Sequence, residues 1–294
     1  MFKSSSLWLS WLTPLAFFIM SRSAPAWAQS PRYLMGAMGD SITAGFFGDT
    51  SLDDFNLELN VDSNPSTNRL MAATPDSGWF ENKESYSWAS GTDISSHYEK
   101  LRNAILKQEP DAQLDVLNFA TAGDKAEAIP DQASALADAM TSGDYTSLKY
   151  VTLFIGANDA CSDETATGTP DSAIVQSLNQ AFQTLSQIQQ PDPIHILVVG
   201  LPQIPNLGTP AIADSSTILG LSCHFFRDDF FQECTSLLNW KSSDEYINKL
   251  KVVMHTNAVL RSVAETAGQL FPNISVRYTE KLWSEPIETK DLAI

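Results

Sequence analysis

Five short, almost continuously apolar runs, separated by longer helix-like segments, constrain this chain of 294 residues more than any other feature. The runs are YLMGAMG after Arg32, LDVLNFA from Leu114, YVTLFIGA from Tyr150, IHILVVGLP from Ile194 and ISVRYTE from Ile274. A strand with one wet face alternates apolar and polar side chains, whereas a strand covered on both faces is apolar throughout, so these runs read as central strands of a parallel sheet. Between them lie helix-like segments from Ser95 to Gln108, Asp124 to Met140, Asp171 to Gln189 and Asp244 to Ala267. Strand and helix in alternation predict an α/β fold, a doubly wound sheet between two helical layers in one domain. Two polar stretches break the rhythm, residues 49–90 after the first strand and residues 203–243 after the fourth. Both leave from the C-terminal side of the sheet, where open α/β folds build their ligand sites.

The first 28 residues stand apart from this pattern. Lys3 precedes an apolar run from Leu7 to Met20, and small residues follow, ending in Ala26-Trp27-Ala28. This is the pattern of a secretory signal peptide cleaved after Ala28. The run falls short of the about 20 apolar residues a membrane-spanning helix needs. The expectation is an exported protein, periplasmic or extracellular, with one domain over residues 29–294 and no integral membrane segment after cleavage. The chain carries 35 acidic and 18 basic residues; losing Lys3 and Arg22 leaves 16 basic, a net charge of −19. Such a surface repels phosphate backbones and anionic headgroups, which argues against nucleic acid as a partner and favours neutral or cationic small molecules.

Cys161, Cys223 and Cys234 are the three cysteines. In an oxidising compartment an odd count leaves one thiol without an intrachain partner. Cys223 and Cys234 share the loop-like run LSCHFFRDDFFQECTSLL and are the expected disulfide, with Cys161 left over. The spacing does not resemble a zinc site, and with only four histidines in the chain no metal site is expected.

Three turns after successive strands carry the residues with chemical potential. MGDSITAG places Ser41 directly after the first strand and at the start of a helix, where it reads either as an N-cap or as a nucleophile beside unpaired backbone N–H groups. The pentapeptide Gly39 to Thr43 lacks the second glycine of a G-x-S-x-G elbow. NFATAGDKA places Gly123 after the second strand, and FIGANDAC places Asn158 after the third. Separately these are a turn glycine and a turn-and-cap pair. Together they bring a hydroxyl, a main-chain amide and a carboxamide to one rim, the inventory of an oxyanion hole.

GDSITAG, the Gly123 loop and GAND resemble, in order and spacing, the first three motif blocks of the GDSL, or SGNH, hydrolases. The run YSWASGTD, the cysteine that follows GAND and the signal peptide look most like the phospholipase B-like secreted branch. The resemblance implies a flavodoxin-like three-layer α/β/α domain with five parallel strands in order 2-1-3-4-5. It also implies hydrolysis of lipid or short-chain acyl esters through a seryl acyl-enzyme. Ser41 would be the nucleophile, and the N–H groups of Ser41 and Gly123 with the Asn158 carboxamide the oxyanion hole. No cofactor is implied.

A serine hydroxyl needs a base within hydrogen-bond reach. The family supplies it from a D-x-x-H motif after the fifth strand, and no histidine follows His255 here. The one D-x-x-H, Asp192-Pro193-Ile194-His195, opens the fourth strand and so lies roughly 20 Å, a strand length, from the Ser41 rim. His97 and His255 read as helix-face residues, and His224, in the second polar stretch, is the possible substitute base. The expectation is a chain cut short before its last motif block, with the partner of Cys161 in the missing tail. Two rivals stand beside it, a catalytically dead secreted binding module and a carbohydrate acetyl esterase. Trp79, Phe225, Phe226, Phe230, Phe231 and Trp240 in the polar stretches either line an apolar acyl site or pack those stretches onto the domain.

Overall fold

In a computed structural model of the chain the five apolar runs form one all-parallel sheet. Its strands are β1 (Arg32–Gly39), β2 (Gln113–Asn118), β3 (Ser147–Phe154), β4 (Ile194–Val199) and β5 (Ile274–Thr279), ordered β2-β1-β3-β4-β5. The structure describes residues 30–45, 84–162, 169–209 and 234–284, and from Pro31 these belong to one compact unit. His224, Trp79 and the phenylalanines at 225, 226, 230 and 231 lie outside the described residues.

The helices are α1 (Ser41–Ala44), α2 (His97–Gln108), α3 (Ile129–Ser142), α4 (Ala157–Ala160), α5 (Asp171–Ser186), α6 (Thr235–Leu238), α7 (Ser243–Leu270) and α8 (Lys281–Ser284). Right-handed crossovers dictate their sides. The step from β1 to β2 runs opposite to the steps β2 to β3, β3 to β4 and β4 to β5, so α2 covers one face and α3, α5 and α7 the other. On the larger side Leu136, Leu178, Phe182 and Leu260 bury against Leu34, Met38, Leu153 and Ile196. On the smaller side Leu101 and Ile105 of α2 pack on Tyr33, Met35 and Leu114. Each fully buried side chain of this size contributes about 1.5–3 kcal/mol.

Local chemistry sets the helix starts. Ser96 and Ser242 accept hydrogen bonds from the N–H groups of Glu99 and Glu245, placing the start of α2 two residues after the expected Ser95 and that of α7 one residue before the expected Asp244. The helix expected from Asp124 begins instead as a 3₁₀ turn, Ala126–Ala128, and becomes α3 at Ile129, with Pro130 in the first turn where its missing N–H costs nothing. No helix among the described residues is long and apolar enough to cross a membrane.

The expected Cys223–Cys234 pairing is corrected by the structure, which joins Cys161 to Cys234 across 73 residues, with Cα atoms 4.8 Å apart. The stretch after β4 returns to the domain at α6, against α4, where Ser236 Oγ donates to the Cys161 carbonyl at 2.9 Å. Proximity in space, not in sequence, selects the partner, and Cys223 lies outside the described residues. Trp240 fits the packing alternative: its Nε1–H donates to the Pro205 carbonyl at 3.2 Å and its ring lies 5.0 Å from that of Tyr246.

Candidate active site

At the C-terminal end of β1 the backbone passes too close to β3 for any side chain. A Cβ on Gly39, at φ 145°, would sit 2.1 Å from the Phe154 carbonyl oxygen. That same oxygen accepts the N–H of Asp40 at 3.2 Å. Asp40 then turns into the cap of α1, its Oδ1 accepting from Ile42 N at 3.1 Å. The cap is therefore Asp40 and not Ser41, which occupies the first helical position. Capping by the neighbour leaves the serine hydroxyl uncommitted: Ser41 is partly exposed, and its Oγ has no hydrogen-bond partner among the described residues. Gly45, at φ 76°, ends the helix after a single turn.

The run YSWASGTD braces this turn from below. Ser87 Oγ donates to the Thr43 carbonyl at 2.7 Å, and Asn118 Nδ2, from the end of β2, donates to the same oxygen at 2.8 Å. Two donors on one carbonyl hold α1 against both neighbouring segments.

The second turn follows β2. Thr121 N–H donates to the Gly39 carbonyl at 3.2 Å, and Gly123 then takes φ 86°, a left-handed conformation that favours glycine. A Cβ on Gly123 would meet no atom within 4 Å, so its surface faces open space. The third turn follows β3. Asn158 Nδ2 donates to the Asp124 carbonyl at 2.8 Å, while the carboxylate of the next residue, Asp159, accepts from Ala126 N at 3.0 Å. All three turns are thus hydrogen-bonded to one another at the same rim.

Beneath the rim lie two buried carboxyls. Burial pushes Asp40 up to about 7, with the charges of Asp159 and Asp124 adding to the rise and the Ile42 N–H opposing it. Asp159 is raised by burial in the same way, against the pull of the Ala126 N–H. Asp40 Oδ2 and Asp159 Oδ1 have no hydrogen-bond partner among the described residues.

The three described histidines sit elsewhere. His97 Nδ1 lies 3.0 Å from the Tyr150 hydroxyl, on the α2 face and four residues short of the end of β3; burial lowers its pKa. His195 pairs in register with Tyr150 and lines a groove between α2 and β5 with Leu101 and Arg277, a groove that Ser41, Gly123 and Asn158 do not line. His255 places Nε2 2.9 Å from both carboxylate oxygens of Asp171, and both side chains are exposed. None hydrogen-bonds to Ser41. Sequence reading passed over the His255–Asp171 pair because its members are 84 residues apart and on different helices. Among the described residues no group of three or more His, Cys, Asp or Glu is placed to hold a metal ion.

A family model described as GDSL-like Lipase/Acylhydrolase matches residues 35–284. No curated protein matches the chain. Among solved structures the chain is similar to AlinE4, a SGNH-hydrolase family esterase, at 19% identity, TM-score 0.30, covering 61% of this chain and 64% of that one. It is also similar to TesA, at 14% identity, TM-score 0.31, over 78% of this chain and 99% of that one. A lipase/acylhydrolase from Enterococcus faecalis aligns at 14% identity, TM-score 0.29, over 78% of this chain and 72% of that one.

Proposed function

Since this chain belongs to the GDSL-like lipase/acylhydrolase family, we propose that it hydrolyses carboxylic esters through an acyl-enzyme on Ser41. The hydroxyl oxygen of Ser41 adds to the ester carbonyl, the negative charge moves to the carbonyl oxygen, and the alkoxide leaves as alcohol with the proton the base has taken. Water then releases the acid by the same path. The developing oxyanion is met by the N–H groups of Ser41 and Gly123 and by the second N–H of Asn158. The observation that carries the reading is the 2.8 Å bond from Asn158 to Asp124, which aligns a carboxamide beside a left-handed glycine open to solvent.

The base is a histidine outside the described residues, and His224 is the one histidine of this sequence that lies there. Substrates are neutral esters with a lipid or short acyl chain, in keeping with the acidic surface. Residues 1–28 direct export, and the Cys161–Cys234 disulfide supports an oxidising compartment. The run YSWASGTD and the cysteine after GAND are the features that favour the secreted phospholipase B-like branch. Turnover of p-nitrophenyl acetate and butyrate by the parent chain, Ser41→Ala and His224→Ala tests the reading. Loss of activity in Ser41→Ala supports it, and an unchanged rate in that variant refutes it. Retention in His224→Ala would exclude His224 as the base.

A further inference from the structure

Gln132 of α3 is buried, 5% exposed, and both ends of its carboxamide are hydrogen-bonded at the rim. Oε1 accepts the Gly39 N–H at 2.8 Å, and Nε2 donates to the Gly39 carbonyl at 2.9 Å and to Asp124 Oδ2 at 2.7 Å. The partners fix the orientation of the amide, because an N–H demands the oxygen end and a carboxylate the nitrogen end. The helix packs on β1 at Gly36, where a Cβ would clash with Leu136 Cδ2 and push that side chain aside. Leu136 is one helical turn beyond Gln132, on the same face of α3.

Resting on the proposed function, we infer that Gln132 is the positioning residue of the oxyanion hole, holding the Ser41 turn and the Gly123 turn at a fixed separation. Gly39 lies two residues before Ser41, and Asp124 directly follows Gly123. The Asp124 carbonyl in turn receives Asn158, so one carboxamide organises all three donors. Gln132 touches no reacting atom. Its effect is on where the N–H groups stand, and a misplacement of about 1 Å costs roughly 10²-fold in rate.

Two variants separate this role from simple packing. Gln132→Met keeps the volume and removes every hydrogen bond; Gln132→Glu keeps the acceptor for Gly39 N–H but sets a carboxylate against Asp124. Both are expected to lower kcat roughly 10²-fold with KM little changed. The kcat of Gln132→Glu, divided by that of the parent at each pH, should rise as pH falls from about 8 to about 5, as the introduced carboxyl gains a proton to donate, while the ratio for Gln132→Met stays flat. Dividing by the parent removes the titration of the base. Amide resonances give a reading that needs no turnover: the Gly123 N–H and the Asn158 side-chain amide should shift in both variants, and Gly39 N–H exchange should speed by roughly tenfold in Gln132→Met. A parent chain without Ser41-dependent turnover overturns the proposed function, and the resonances alone then decide the role of Gln132. Unmoved resonances, or kcat within about twofold of the parent in both variants, overturn this inference.

Discussion

Asn158 donates one N–H of its carboxamide to the Asp124 carbonyl at 2.8 Å, so the side chain of the third turn is aligned by the backbone of the second. A carboxamide has two N–H groups. In the proposed mechanism the second meets the substrate oxygen, and the bond to Asp124 orients it beforehand. Asn158→Ala should lower kcat by roughly 10²–10³-fold with KM little altered, the cost of one lost oxyanion donor. Asn158→Asp should lose at least as much, since a carboxylate repels both the Asp124 carbonyl and the developing charge. Steady-state kinetics on a short-chain p-nitrophenyl ester read both effects.

Asp40 ties stability to pH. Its carboxyl is raised from 3.8 in the unfolded chain to about 7 in the folded one, first by burial and then by Asp159 and Asp124. The folded state therefore holds a proton that the unfolded state has released, and stability falls as pH rises from about 4 to about 7, then levels. Asp40→Asn keeps an acceptor for the Ile42 N–H and removes the titration. Denaturant melts across this range should show a flatter profile in Asp40→Asn, chiefly through less loss of stability above pH 6. A profile parallel to that of the parent would contradict the burial of a protonated Asp40.

The disulfide ties α4, which carries Asn158, to the segment returning after β4. Thiol labelling of the denatured, unreduced protein should modify Cys223 alone. Cys161→Ser with Cys234→Ser should cost roughly 2–5 kcal/mol of stability, as expected for a crosslink closing a loop of this length. Labelling at Cys161 or Cys234 would contradict the pairing.

Much of this architecture was legible in the chain because its strands are covered on both faces. Runs such as YVTLFIGA need no partner to be recognised, and right-handed crossovers then fix which helices share a side. Ser41, Gly123 and Asn158 were legible because each follows a strand at the same edge. The rest depends on contacts between distant segments. Asp40 took the cap expected of Ser41, because its own N–H is pinned to the Phe154 carbonyl and the turn brings its carboxylate to the Ile42 N–H. Cys161 found Cys234 only because α6 returns to α4. Nothing in the spacing of IPDQASAL distinguishes Gln132 from any other glutamine on a helix; its partners Gly39 and Asp124 lie on other segments. His224 belongs to a stretch outside the described residues.

If Ser41 is the nucleophile that becomes acylated, a fluorophosphonate modifies it covalently, and intact-mass spectrometry reads the adduct. Phosphonylation displaces fluoride from phosphorus and leaves one stable adduct on the nucleophile, in a geometry that the oxyanion donors stabilise. A single adduct per chain is expected, mapped by peptide sequencing to Ser41. The adduct should be absent in Ser41→Ala and form more slowly in Asn158→Ala. An adduct on another residue, or an unmodified Ser41 in a chain that still hydrolyses esters, would contradict Ser41 as the nucleophile.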